Sequence, residues 1–335
     1  MQGMRLDGQD EYNHKLGPEP NFNESVYWNG WDPEQNAGGW MRIGNRANEG
    51  YAEMSLCLHL PDGRIAFMYK RPAISANDQF SAGGLNYEIL DLEPRRSFRT
   101  TYSGDVLLLE DPKALINPSL AFRENPRVPC QLDWTLEGAS PLHGGEPTDP
   151  QVEPLYGRDF SRGHFNQHTK VTGNIEIDGQ NTELAAFGWR DHSWGPRYWQ
   201  NNLWHRLLVA NFDGEAGMMV IKIQHLDGRI RRVGCFWKDG AYHEVRDLDL
   251  VTDWTDDPYQ RRTHLTIRTD AGVEQLIGEP LTLVPLRNRR EIDGQVIETR
   301  ITEAMTRWTW QGRSGLGISE YLDLVKDGTV LGYPC

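Results

Sequence analysis

The sequence predicts an all-β chain made of two barrel-sized halves. Three observations carry this: recurrent Asp-Gly pairs, period-two apolar alternation between them, and almost no amphipathic helical pattern. Eight Asp-Gly pairs occur, seven of them from Asp62-Gly63 onward and five between Asp178 and Gly294. Between alternating runs this dipeptide signals a hairpin, because both residues tolerate the positive φ of a type I′ turn.

Taken in order, Tyr51 to Leu60 is the clearest strand. Ala52, Met54, Leu56, Leu58 and Leu60 share one face, and Tyr51, Glu53, Ser55, Cys57 and His59 the other. If that second face meets solvent, Glu53 and His59 have no special role. Ile65, Phe67 and Tyr69 share a face before Pro72, and Pro112 to Ala121 predicts a short helical turn. Met219, Ile221 and Ile223 alternate, as do Leu265 with Ile267 and Trp308 with Trp310. Glu137 to Tyr156 holds four prolines and three glycines with little periodicity, as a linker would. The expected organisation is therefore an N-terminal extension over 1–24, a first barrel over 25–140, a linker over 141–158 and a second barrel over 159–335. Gly50-Tyr51-Ala52-Glu53 and Gly317-Ile318-Ser319-Glu320 echo each other faintly across the halves.

Composition narrows the function. The 335 residues carry 35 basic and 48 acidic side chains, a formal charge of −13. That excess of acid argues against nucleic acid and anionic membrane surfaces, where phosphate must be neutralised. No run approaches the ~18 apolar residues of a membrane span, so no membrane insertion is expected. The polar segment Met1 to Pro20 does not read as a secretory signal, and the expected location is cytoplasmic. Cys57, Cys130, Cys235 and Cys335 are scattered without a C-x-x-C and read as reduced thiols. Phosphate-cradling glycine motifs and G-x-S-x-G are absent, so no nucleotide cofactor or serine nucleophile is expected.

Four of the 12 tryptophans, Trp189, Trp194, Trp199 and Trp204, fall within sixteen residues. They surround Phe187-Gly188-Trp189-Arg190-Asp191-His192-Ser193-Trp194-Gly195-Pro196-Arg197. In a strand, Trp189, Asp191 and Ser193 would face one way, Arg190, His192 and Trp194 the other, with Gly195-Pro196 ending the run. A carboxyl beside aromatic surface is pushed toward its protonated form and can act as a general acid. Ring faces stabilise a nearby cation. The kit suits protonating an alkene, ionising an alcohol or guiding a cationic rearrangement. The competing reading is a structural Arg-Asp-His ion-pair network with core tryptophans.

Metal chemistry has a weaker signal. His164-Phe165-Asn166-Gln167-His168 has H-x-x-x-H spacing, but on a strand those histidines stand about 13 Å apart, too far for one ion. A facial triad would need two of His164, His168 and His192 to converge with Asp191, and no spacing demands it. No metal ligand is assigned. Glu320 and Tyr321 follow two glycines near the end of the chain. A carboxylate there could pair with Arg190 or Arg197, or reach a cavity.

The motif Gly188-Trp189-Arg190-Asp191-His192-Ser193-Trp194-Gly195-Pro196-Arg197 resembles the tandem-lipocalin (AttH-like) superfamily, which includes carotenoid 1,2-hydratase, also called hydroxyneurosporene synthase. Gly163-His164-Phe165-Asn166-Gln167, Gly317-Ile318-Ser319-Glu320-Tyr321 and Glu93-Pro94 to Tyr102-Ser103-Gly104 are similar too. The likeness spans most of residues 25–330 and is nearest a bacterial branch rather than the hydratases themselves. It implies two antiparallel lipocalin-like β-barrels packed together around a hydrophobic ligand pocket, with no metal or nucleotide. Relatives add water to isoprenoid double bonds, cyclise terpenoid or phenolic substrates, or accelerate cycloadditions.

The expected function is then a cofactor-independent hydratase, dehydratase, cyclase or isomerase for a hydrophobic terpenoid or prenyl-aromatic compound. Asp191 would be the general acid, with His192 tuning it. Trp189, Trp194 and Trp199 would line the pocket, and Arg190 and Arg197 would hold the acid or a polar group of the substrate. His164, Glu53, Glu320 and Tyr321 complete the predicted substrate site. The alternatives are a lipocalin-type carrier of an apolar ligand, which needs no acid, and a metal-dependent oxygenase.

Overall fold

A computed structural model describes residues 3–93, 96–158, 160–198, 202–292 and 294–333. The chain forms two compact units, one of residues 1–111 with 124–198, the other of residues 112–123 with 199–335. The first unit holds β1 (Met4–Arg5), β2 (Phe22–Asp32), β3 (Ala37–Arg46), β4 (Tyr51–His59), β5 (Ile65–Lys70) and β6 (Phe80–Ala82). It continues with β7 (Leu85–Asp91), β8 (Ser97–Leu109), β9 (Arg127–Gly138), β10 (His143–Pro147), β11 (Gly163–Ile177) and β12 (Gln180–Pro196). All pairings are antiparallel. The path β11-β12-β2-β3-β4-β5-β8 is closed by β9, which pairs with both β8 and β11. Eight strands thus form a ring, and closure removes the exposed edges that would otherwise template aggregation.

The second unit is a simpler up-and-down ring. Its strands are β13 (Asn202–Phe212), β14 (Ala216–His225), β15 (Ile230–Lys238), β16 (Ala241–Trp254) and β17 (Gln260–Thr269). β18 (Gly272–Ile292), β19 (Gln295–Trp310), β20 (Arg313–Lys326) and the short β21 (Thr329–Val330) follow. Pairing of β13 with β20 closes it. Phe212, Met218, Val220, Phe236, Leu248, Leu265, Ile267, Trp308, Trp310 and Tyr321 fill its interior.

The turn signals act as expected. Asp178-Gly179, Asp239-Gly240 and Asp327-Gly328 each join two strands with both residues at positive φ. Gln311-Gly312 does the same without an aspartate. The predicted helical turn is a 3-10 segment, Pro112–Ile116, followed by the α-helix Pro118–Glu124. No helix among the described residues is long and apolar enough to cross a membrane. Cys57, Cys130 and Cys235 are buried free thiols, and Cys335 lies outside the described residues.

The predicted boundary needs correction. Residues 159–198 were expected in the second barrel, yet β11 pairs with β9 over Thr169–Ile177 and β12 with β2 over Phe187–Pro196. Without these two strands the first ring would stay open between β9 and β2. The Pro- and Gly-rich stretch is an excursion within the first unit, and it carries β10, which pairs with β11. A second correction concerns β4, because Glu53 and His59 are buried.

Candidate functional site

The motif lies on β12 with both neighbours in place. Asn166 of β11 and Tyr27 of β2 stand opposite Asp191, while Phe165 and Val26 stand opposite His192. Period-two alternation therefore divides the motif. Arg190, His192 and Trp194 share the face of Gln167, Phe165, Val171 and Ile175, which is the inside of the ring. Lys170 and Thr172, of opposite parity on β11, are exposed. Trp189, Asp191 and Ser193 point outward. Gly188 permits the close approach of β2: a Cβ there would lie 1.8 Å from the Asn29 carbonyl oxygen.

Inside the ring, Arg190 is fully committed. Its Nη1 and Nη2 donate to the two Glu11 oxygens at 2.8 and 2.7 Å, and Nε and Nη2 both donate to Gln167 Oε1 at 2.9 and 2.8 Å. Phe98 lies beneath the guanidinium at 4.0 Å. Burial alone would raise the Glu11 pKa, but the charge and hydrogen bonds of Arg190 outweigh it and hold the carboxylate below its ordinary range. The predicted role of Arg190 in holding Asp191 or a substrate is corrected: Glu11 takes it instead.

His192 is likewise turned away from Asp191, because adjacent strand residues face opposite sides. Its Nε2 meets Glu24 Oε1 at 2.6 Å, and His14 Nδ1 meets the same oxygen at 2.8 Å. Trp194 packs with Phe22 and Phe165, and its ring stacks on His14 at 3.9 Å. Burial opposes charge on Glu24, yet hydrogen bonds from both histidines keep its pKa lowered. His14 is driven down by burial but up by Glu24 and Asp10, and the net direction is up. The ligand atoms of His14, Glu24 and His192 all lie within 4.8 Å of one another, so this group can hold a metal ion. The triad of Asp191 with two of His164, His168 and His192 does not form: His192 is on the other face, and among the described residues only His14, Glu24 and His192 converge as ligands.

On the outer face, His164 Nε2 stands 3.3 Å from Asp191 Oδ2. The edge of Tyr156 closes over the His164 ring at 4.6 Å, and Trp189 is buried on the same face. Burial holds the His164 pKa below the ordinary value despite Asp191, so the ring is neutral at neutral pH. The Asn166 amide is buried with neither its oxygen nor its nitrogen hydrogen-bonded. Arg197 donates to Ser193 Oγ at 2.6 Å and covers Phe160 at 4.1 Å. Burial, reinforced by Arg42 and Arg46, lowers the Arg197 pKa to about 9. Glu53, a predicted substrate contact, is instead held by Arg42 at 3.1 Å and approached by Arg46 at 3.5 Å. Trp199 lies outside the described residues.

Glu320 and Tyr321 belong to the second unit and point opposite ways. Tyr321 is interior, its hydroxyl 2.7 Å from Thr252 and 3.2 Å from Thr263, with the Arg206 guanidinium over its ring. Glu320 faces outward, directly across from Glu303 on β19 and 3.8 Å from His205 Nδ1. Burial, then repulsion from Glu320, raises the Glu303 pKa well above the ordinary carboxyl value. Two open surface cavities, of about 580 and 370 Å³, lie at the turns beside Trp237 and Trp310 and along Glu146–Pro150, away from Asp191.

Sequence reading missed Asp10, Glu11, His14, Glu24 and Glu303. For two of these a signal existed: a carboxylate in phase with an apolar stripe. Glu24 shares parity with Val26 and Trp28, and Glu303 with Ile301 and Met305.

Residues 7–325 match a family described as a domain of unknown function (DUF7064). The chain belongs to this family. No curated protein matches the sequence. Among solved structures, the Nitrosomonas europaea protein NE1406, described as an AttH, superposes with a TM-score of 0.65 at 17% identity, covering 98% of each chain. Kievitone hydratase from Nectria haematococca gives 0.59 at 9% identity over 97% of this chain and 93% of its own. CghA solved with Sch210972 gives 0.57 at 10% identity over 96% and 97%. The fold is therefore the tandem-lipocalin one that the motif implied.

Proposed function

We propose that the chain is an acid–base enzyme of hydratase or isomerase type acting on a hydrophobic small molecule of the prenyl or terpenoid class. The observation that carries this reading is the pair Asp191–His164. Glu11 and Glu24, the acids of the inner face, are 2% and 0% exposed and bound to Arg190 and the histidines. Asp191 keeps 14% of its side chain open and has a neutral imidazole behind it. An apolar ligand laid over that carboxyl would exclude water from it. His164, whose own charge burial opposes, can share the proton without trapping it. In a hydration, Asp191 would give the proton to one alkene carbon, water oxygen would bond to the other, and the pair would recover a proton from that water. Similarity to kievitone hydratase supports the reaction class.

The test is incubation of the chain with a panel of prenylated phenols and terpenoids in 18O-labelled water, followed by mass spectrometry. Gain of one labelled water by wild-type protein, with at least 100-fold loss in a folded Asp191→Asn, is the expected result. Unchanged turnover in that variant removes Asp191 from the mechanism. Retention of an unreacted ligand by the wild type would instead favour a carrier.

A further inference from the structure

We propose that the inner end of the first ring is a binding site for one divalent transition-metal ion, held by His14 Nδ1, His192 Nε2 and Glu24 Oε1. This does not rest on the Asp191 reading, since the two groups occupy opposite faces of β12. The three ligands come from separate segments: His14 from the chain preceding β2, Glu24 from β2 and His192 from β12. Their convergence is therefore built by the fold rather than by local sequence.

The surroundings orient two of the three ligands as metal sites do, while the other ring nitrogen of His192, Nδ1, is buried without a hydrogen-bond partner. His14 Nε2 faces Asp10 Oδ1 at 3.1 Å, the carboxylate–histidine pairing that fixes which ring nitrogen is free to ligate. Glu24 Oε2 is occupied by the His14 backbone N–H at 3.1 Å and by Asn77 Nδ2 at 3.2 Å, leaving Oε1 turned to both imidazoles. Arg5 reaches Asp10 at 3.2 Å but is not aimed at Glu24.

The hydrogen-bond pattern also accommodates an ion. Without an ion, both facing nitrogens must carry hydrogens, and His14 needs a second one for Asp10. A metal ion replaces the two facing protons, so both rings ligate as neutral imidazoles while His14 keeps its bond to Asp10. In tetrahedral geometry with bonds near 2.0–2.1 Å, ligand atoms stand about 3.3 Å apart, so from 2.6 and 2.8 Å the His192 ring would withdraw by about 0.7 Å and the His14 ring by about 0.5 Å. His14, 19% exposed and outside any strand, can make that movement. Two imidazoles and one carboxylate select zinc, cobalt or nickel over magnesium and calcium.

Chelator-stripped full-length protein titrated with Co(II) should develop visible absorption that saturates at one ion per chain and is abolished by Zn(II). His14→Ala should weaken binding at least 100-fold, and Asp10→Asn, which removes the charge that orients His14 and pairs with Arg5, about 10–100-fold. Near-UV circular dichroism establishes that each variant is folded, and Asp191→Asn should bind as wild type does. Absence of stoichiometric binding by the folded wild type overturns the site, and so does binding that His14→Ala leaves unchanged.

Discussion

Arg190 donates to Glu11 through both terminal nitrogens and to Gln167 through Nε, inside a ring that excludes water. Removing one partner of such a buried pair leaves an uncompensated charge, at a cost of about 3–5 kcal/mol. Arg96, 3.1 Å from Glu11 Oε1, offsets part of that. Arg190→Met is therefore expected to destabilise the protein by about 3 kcal/mol in urea unfolding. Arg190→Lys should recover little, because a point charge cannot make the two-pronged contact. A loss below ~1 kcal/mol would mean that Arg190 is not structural and is free for a ligand. The contrast with Asp191, the next residue, is the physics of a strand: one step along the chain exchanges a sealed interior for a partly open face.

At the scale of the element, β12 holds both faces in place only because its register with β2 is fixed. Gly188 sets that register, since a methyl group there would collide with backbone rather than with a side chain that could move. Gly188→Ala should cost roughly 2–4 kcal/mol and lower any Asp191-dependent turnover with it. Gly179→Ala, at a hairpin with open space but φ +76, should cost only about 1–2 kcal/mol. Equal losses in thermal unfolding would show that strand approach does not limit β12. The same strand shows what the sequence could convey. Alternation revealed which residues share a face, and Asp-Gly pairs revealed where hairpins turn, because both are local properties. The partners of β12 and β11 were hidden, since β12 reaches back more than a hundred residues to β2 and β11 pairs with β9 across the Pro-rich excursion, and neither pairing carries a period. Burial of Glu53 and His59 was hidden for a related reason: alternation separates two faces but does not tell solvent from a second packed layer. Asp191 was legible as the carboxylate of a dense motif, whereas His164 became its partner only through strand pairing.

Over the whole molecule, buried titratable groups combine into a dependence of stability on pH. His59 is enclosed with both ring nitrogens unbonded, and burial lowers its pKa from 6.5 to about 3. The unfolded chain takes up a proton near pH 6.5 that the native ring refuses, so stability is full above that value and falls as pH drops toward 3. His164 acts in the same direction, and Glu53, whose lowered pKa stems from Arg42 and Arg46 overcoming burial, adds a loss below about 4.5. Glu303 opposes them. Its raised pKa means that its contribution is full below about 4.5 and is lost as pH climbs through the folded value. Below 6.5 the histidines His59 and His164 favour higher pH, whereas Glu303 above 4.5 and His14, whose pKa is raised, above 6.5 favour lower pH. Stability should therefore decline toward both acid and alkaline pH. Each unmatched group contributes a slope of about 1.4 kcal/mol per pH unit within its window. His59→Phe should flatten the acid limb by that amount, and Glu303→Gln should flatten the alkaline limb while raising stability at neutral pH. Urea midpoints followed by tryptophan fluorescence from pH 4 to 9 measure both limbs. An acid limb equally steep in His59→Phe would place its origin in other groups, and a neutral-pH loss in Glu303→Gln would mean that the carboxyl is favourably paired rather than merely enclosed.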